Sequence, residues 1–286
     1  MIDDGVAADA RAGRTVETAV TRYEGSHAQR AFDRVVTEEP LELRLVAGSR
    51  THTLAVTMRT PGNDFELAAG FVASERIVRA REAIAGVSYC VDPAIDSEQR
   101  FNIVNIELRS PSLPDLTRFE RHFTINSSCG VCGRANLEAL ADLGVEPVRD
   151  DVRVPIARLY ELPDRVREAQ RIFSLTGGLH AAALFDSRGA VLAVREDVGR
   201  HNAVDKLAGW AFLEGRSPAG QILFVSGRAS YEILQKAAVA RIPIVAAVSA
   251  PSSLAVDLAR AFNITLAGFV RGERANVYSV PERITA

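Results

Sequence analysis

The residues with the most distinctive chemistry are two thiols, Cys129 and Cys132, in the run Asn126-Ser127-Ser128-Cys129-Gly130-Val131-Cys132-Gly133. Two cysteines at this spacing can hold a metal, exchange a disulfide, or carry sulfur as a persulfide. A structural zinc needs four ligands, and the sequence has no second such pair, so two of its scattered histidines would have to complete the site. The zinc deaminase signature also fails, because His180-Ala181-Ala182 lacks the glutamate and the cysteine pair comes earlier in the chain. Thiol–disulfide exchange stays open, although the compact βαβ setting expected for it is not evident. Sulfur transfer needs a thiolate that attacks an activated sulfur and an arm that presents it to an acceptor; Gly130 and Gly133 give the loop that freedom. On this reading Cys129 carries the sulfur, and Cys132 assists it, resolves it or only supports the loop. Cys90 lies in an apolar stretch and reads as a buried core thiol.

A second set of residues suits anions. Short runs of glycine, serine and arginine recur where predicted strands end: Asp197-Val198-Gly199-Arg200-His201-Asn202, Ser226-Gly227-Arg228-Ala229-Ser230, Ser249-Ala250-Pro251-Ser252-Ser253 and Arg271-Gly272-Glu273-Arg274. Glycine allows close backbone approach, serine supplies short donors, and the arginine fork holds phosphate oxygens. Any one of these loops is explained as well by turn and cap chemistry. Their recurrence favours a polyanion site, with a nucleotide as the natural ligand. His201 and Asp205, four apart, read as an ordinary helix pair. His180 follows Gly177-Gly178-Leu179 and is as compatible with a structural role as with ligand contact.

The elements that must position these groups fall into two sets. Leu41–Val46 and His52–Met58 read as antiparallel strands around Gly48-Ser49-Arg50. Asn63 and Glu66 have capping-box spacing before a helix bearing Leu67, Phe71 and Val72. Ala83–Val91 and Phe101–Leu108 read as further strands, so residues 31–135 form a small α+β unit ending in the cysteine loop. Leu137, Leu140 and Leu143 mark a short helix, and Ile156–Phe173 a longer one despite Pro163. From His180 the pattern becomes strand and helix in alternation: strands Ala181–Phe185, Ala190–Val194, Ile222–Val225, Ile244–Val248 and Ile264–Val270, and helices Asn202–Leu213, Tyr231–Ala240 and Leu254–Phe262. Continuous apolar strands separated by helices predict a largely parallel sheet covered on both faces, hence a three-layer α/β domain over residues 136–286. Residues 1–30, polar and alanine-rich without sustained periodicity, read as a flexible tail.

At 286 residues, 47% of them hydrophobic, the chain can bury a substantial core, which excludes disorder throughout. The net charge of −2 gives no global basic field, so nucleic-acid binding is not expected and an anion must be held locally. The longest nearly unbroken apolar run, Ile242 to Val248, is too short to span a bilayer, and the first residues lack a secretory apolar core. A cytoplasmic protein without membrane contact is therefore expected.

Several blocks together resemble one family. Ser128–Gly133, Leu175-Thr176-Gly177-Gly178-Leu179-His180-Ala181-Ala182, the run Glu196–Lys206 and Ser226-Gly227-Arg228 are similar, in order, to the FdhD family of formate dehydrogenase accessory proteins. The likeness extends from about Glu39 to the C-terminus. It implies a cytidine-deaminase-like α/β fold without the deaminase zinc, and a homodimer. It further implies transfer of sulfur from a cysteine desulfurase to the molybdenum bis(molybdopterin guanine dinucleotide) cofactor of formate dehydrogenase. Cys129 matches the persulfide cysteine of the family, and Phe269-Val270-Arg271-Gly272-Glu273-Arg274 matches its cofactor-binding segment. In that segment the aromatic, the glycine and the final arginine follow the family pattern, while Val270, Arg271 and Glu273 occupy more variable places. Ser226, Gly227 and Arg228 complete the expected contacts.

Overall fold

The computed structural model describes residues 13–96, 99–116 and 133–286. Cys129 and Cys132 lie outside the described residues.

Strands β1 (Thr15–Glu24) and β2 (His27–Val36) pair antiparallel over their whole length, from Thr15 opposite Val36 to Glu24 opposite His27. They form a two-stranded ribbon where the sequence predicts a flexible tail. Gly25, at φ 62, opens a two-residue Gly-Ser turn of the kind that closes hairpins, and this was the local signal for it. The ribbon is tied down at its base, where Thr37 donates from its backbone N–H to Arg14 O and Val36 stands over Gly178.

Next come β3 (Glu39–Ala47) and β4 (Arg50–Arg59), the predicted antiparallel pair, then α1 (Asp64–Ser74), β5 (Ile84–Tyr89) and β6 (Ile103–Leu108). They build a four-stranded sheet of order β4-β3-β6-β5, in which β3 and β6 run parallel. Leu41, Leu43 and Leu45 alternate inward from β3 against Leu67, Ala68 and Val72 of α1. The capping box expected at Asn63 and Glu66 does not form. Asn63 is left-handed (φ 58) and its side chain makes no cap, while Glu66 turns away to hold Arg195 with oxygens 2.5 and 2.6 Å from its guanidinium nitrogens.

The second half holds α2 (Gly133–Asp142), β7 (Val154–Pro155), α3 (Ile156–Ala169), α4 (Phe173–Thr176), β8 (His180–Phe185), β9 (Val191–Asp197), α5 (Arg200–Leu213), β10 (Ile222–Val225), α6 (Tyr231–Val239), β11 (Ile244–Ala247), α7 (Ser253–Ala261), β12 (Thr265–Arg271), β13 (Arg274–Ser279) and β14 (Ile284–Thr285). The sheet order is β13-β12-β11-β10-β8-β9, with β10, β11 and β12 parallel and β8 and β13 antiparallel to their neighbours. One face packs on α5, α6 and α7 through Leu184, Leu223, Val245 and Leu266. The other packs on α3 through Phe185, Phe224, Ile244 and Val270. The layers are as expected, but the sheet is mixed rather than largely parallel: only β10–β11 and β11–β12 pair parallel, because β8, β9 and β13 join through hairpins and an antiparallel β8–β10 pairing. Alternate strand residues reach opposite faces, so the central strands β10 and β11 are apolar throughout, as strands buried on both sides require.

Helix α5 joins the two sheets. Its burial runs almost all round, and it crosses α1 at Gly209 and Gly70. A Cβ added to Gly70 would lie 1.8 Å from Asp205 O, and one added to Gly209 would lie 1.8 Å from Glu66 O. Only glycine at both places lets the two backbones touch.

Candidate functional site

Strands β9, β10, β11 and β12 all end at one edge of the sheet, and the N-terminal residue of β8, His180, starts there. Ligands collect at such edges because loops and helix N-termini present unpaired N–H groups.

The loops here are interlaced. Ser226 extends the β10–β8 pairing with its side chain: its N–H donates to Ala181 O at 3.0 Å, and its Oγ accepts from Ala181 N at 2.9 Å. Gly227 follows, so close to the imidazole that an added Cβ would lie 3.3 Å from His180 Nδ1. Arg228 is exposed. Ser252 caps α7, its Oγ accepting from Ala255 N at 3.2 Å, and its own N–H donates to Ala229 O at 3.0 Å. Phe269 donates its N–H to Ser249 O at 3.2 Å.

The segment Phe269–Arg274 divides in its roles. Phe269 has φ 55, a strained conformation for an aromatic residue, at a bulge between Gly268 and Arg271. Gly268 is confined as well, since a Cβ there would sit 3.0 Å from Pro251 Cδ. Arg271 is exposed, its guanidinium carbon 5.8 Å from the Phe269 ring. Val270 points the other way and is fully buried in the apolar layer beneath the sheet, so only its backbone can face the edge. Gly272, at φ 53, and Glu273 make the two-residue turn into β13, and both they and Arg274 are exposed.

Cations converge beside Gly227. Burial pushes the His180 imidazole below its usual range, and the positive charges of Arg200, His201 and Arg228 push it further, against the opposing pull of Asp197. Arg200 is the first residue of α5, and its buried Nε has no hydrogen-bond acceptor among the described residues. A buried guanidinium nitrogen without an acceptor is costly, and an anionic oxygen brought to this edge would satisfy it. His201 is held 3.2 Å from Ser230 Oγ and 3.3 Å from Glu232 Oε2. That contact draws the Glu232 carboxyl down to about 2.

The expected His201–Asp205 pair is not made. Asp205 is buried and pairs instead with Lys236 at 2.8 Å, because it lies on the α5 face turned toward α6 and α1. Burial raises the Asp205 carboxyl, with Lys236 pulling in the opposite direction.

Much of the run Glu196–Lys206 serves the joint between the sheets rather than the edge. Lys206 Nζ lies 2.7 Å from Asp197 Oδ2 and donates to Thr60 O at 2.8 Å. Asp197 also accepts from the N–H groups of Thr60 and Gly199 and from Asn202 Nδ2, which reaches Met58 O as well. Arg200 stood in one of the anion-suited loops without a role of its own, and the structure singles out its Nε as a donor without an acceptor among the described residues; Glu232, the partner of His201, was left unnamed. A glycine followed by arginine at a helix start was the available signal for the first; nothing local marked the second.

Among the described residues no group of three or more His, Cys, Asp or Glu is placed to hold a metal ion, and no helix is long and apolar enough to cross a membrane.

The fold defines a mixed α/β protein with a cluster of cationic side chains at the strand ends of its larger sheet. Residues 36–285 match the model of the FdhD/NarQ family, and the chain belongs to that family. It is 51% identical over 253 residues to the sulfur carrier protein FdhD of Mycobacterium tuberculosis, covering 87% of this chain and 90% of that one. It is 49% identical over 256 residues to the sulfur carrier protein FdhD of Streptomyces coelicolor, covering 88% and 89%. The fold is shared with the crystal structure of a candidate formate dehydrogenase accessory protein from Desulfotalea psychrophila, at a TM-score of 0.72 and 24% identity over 95% of this chain and 99% of that one.

Proposed function

We propose that this protein is a sulfur carrier and sulfurtransferase that loads sulfur on Cys129 as a persulfide and delivers it to the molybdenum bis(molybdopterin guanine dinucleotide) cofactor required by formate dehydrogenase. The single observation that carries the acceptor side is the unbalanced cation cluster at the strand ends, with Arg200 Nε buried and lacking an acceptor among the described residues. A pyrophosphate-bridged guanine dinucleotide supplies the oxygens that such donors need. The carrier side rests on the CxxC run and on the relatives, which bear the name sulfur carrier protein.

In the loading step the Cys129 thiolate attacks the outer sulfur of a desulfurase persulfide. A new S–S bond forms on Cys129, the old one breaks, and the desulfurase thiolate leaves. The cofactor is the acceptor, held as a substrate by Arg200, Arg228 and the Phe269–Arg274 segment; it supplies the metal that receives sulfur. His180, kept neutral by its surroundings, adds a donor beside Gly227 without further positive charge. The order β9-β8-β10-β11-β12, with β8 antiparallel, supports the cytidine-deaminase-like relationship. The working unit is a homodimer in the cytoplasm.

The test is peptide mass spectrometry after incubation with a cysteine desulfurase and cysteine. A reductant-sensitive gain of one sulfur atom on Cys129, absent from Cys129→Ala, is expected. A Cys129–Cys132 disulfide with no added sulfur would replace this reading with thiol–disulfide exchange.

A further inference from the structure

The ribbon β1–β2 has no use in the reading above and is not built to stand alone. A two-stranded hairpin is marginal in water without a third strand or a helix to cover it. Here Tyr23 is 70% exposed and Phe32 is 69% exposed. The register puts both on one face: Phe32 is opposite Ala19 and Tyr23 is opposite Ala28, with the Thr21–Arg30 pair between them. Two exposed aromatic side chains on one face of a ribbon, with Thr21 and Arg30 between them, mark a contact surface.

The same chain carries a second uncovered apolar strip. Strand β4 is an edge strand, and Val56 and Met58, two residues apart, are 61% and 47% exposed. They lie across from Glu42 and Pro40 of β3, on the side of the four-stranded sheet away from α1. Charge does not favour a foreign partner of either sign. Residues 15–36 hold three arginines, Arg22, Arg30 and Arg34, against three carboxylates, Glu17, Glu24 and Asp33.

We infer that the ribbon is a dimerisation arm: its Tyr23/Phe32 face packs on the Val56/Met58 strip of a second copy of this chain, and the contact is made twice about a two-fold axis. The inference rests on the two-copy assembly proposed above and assigns its surface. Size supports it. A ten-residue ribbon is about 33 Å long and about 10 Å wide, so one face covering an equal surface, exchanged reciprocally, buries roughly 1,300 Å², within the range of stable complexes. Exchange of an element between identical chains also gives each of the two unlike surfaces its partner while keeping the assembly closed.

Sedimentation velocity at micromolar concentration tests this on the full chain, comparing wild type with Tyr23→Glu/Phe32→Glu and with Val56→Glu/Met58→Glu. The wild type is expected to be a dimer and both variants monomers, since each aromatic anchor lost weakens such a contact by about thirtyfold. An equimolar mixture of the two variants keeps one intact arm contact and recovers part of the dimer. All four positions are exposed, so the melting temperature of the body should stay unchanged; Tyr23→Ser/Phe32→Ser gives the same comparison without added charge. Dimers in the wild type and in both variants would overturn arm exchange and leave the two-copy reading standing. A monomeric wild type would overturn both.

Discussion

Replacing Lys206 with Met should test whether the polar joint between the sheets is a structural necessity. Lys206 is 1% exposed and Asp197 0%, and their charged atoms are 2.7 Å apart. The carboxylate has three further donors, from Thr60, Gly199 and Asn202, so it stays hydrogen-bonded when the ammonium is removed. What it loses is its counter-charge while remaining fully buried itself. Breaking a buried pair from one side costs about 3–5 kcal/mol. At about 2–4 °C per kcal/mol for chains somewhat smaller than this one, the melting temperature should fall by on the order of 10 °C. Urea unfolding and calorimetry would measure the loss. The double variant Asp197→Asn/Lys206→Met should be more stable than Lys206→Met alone, and the cycle completed with Asp197→Asn should show about 1–3 kcal/mol of coupling. A single variant within about 1 kcal/mol of wild type, or a double variant no better than the single, would refute the argument that charge balance holds this joint.

Other outcomes follow from the same structure. Gly209→Ala puts a methyl group against the Glu66 carbonyl and the Gly70 nitrogen, both backbone, so α1 and α5 must separate; a loss of about 2–3 kcal/mol in denaturant unfolding is expected. Glu232 has its carboxyl drawn from 4.5 to about 2 by His201, so its stabilising contribution is present above pH 4.5 and is lost as pH falls toward 2. In Glu232→Gln that acid-dependent part disappears; because the pair is half exposed it is worth about 1 kcal/mol, read from urea midpoints between pH 2 and 6. Arg200→Gln should weaken binding of guanosine diphosphate about tenfold with little change in melting temperature, as measured by calorimetric titration, and the affinity that remains should depend less on salt.

The sequence carried most of the α/β half because its signals were strong and local. Ile222–Val225 and Ile244–Val248 are short apolar runs ended by small polar loops, and the structure places strands at Ile222–Val225 and Ile244–Ala247. Strand β13 was not read as a strand: Ala275 and Val277 alternate with exposed Arg274 and Asn276, but the alternation is too short to stand out beside the pairing that β12 supplies. The ribbon was missed for a related reason. Its strands bury almost nothing within the chain, so composition resembled a tail even though Gly25-Ser26 carried turn chemistry. At the strand ends the structure brings the runs of Gly, Ser and Arg together at one edge, but residue type could not separate their jobs. Ser226 was expected to contact ligand, and its hydroxyl is taken up by Ala181. Val270 stood in the matched segment, and its side chain belongs to the core. Asp205 resembled a surface partner for His201 because nothing in the sequence said that α5 would be enclosed between a sheet and another helix.

The eleven residues from Glu196 to Lys206 serve two places, with Arg200 and His201 at the strand-end edge and Asp197, Asn202 and Lys206 inside the joint between the two sheets. A substitution scan along them would therefore return two kinds of inactive protein that look alike in a growth assay. Changes at Arg200 and His201 would leave a well-assembled molecule without the proposed anion contacts, whereas changes at Asp197, Asn202 or Lys206 would let the halves part. Resistance to proteolysis would sort them, since only the second kind should be cut between β4 and α1.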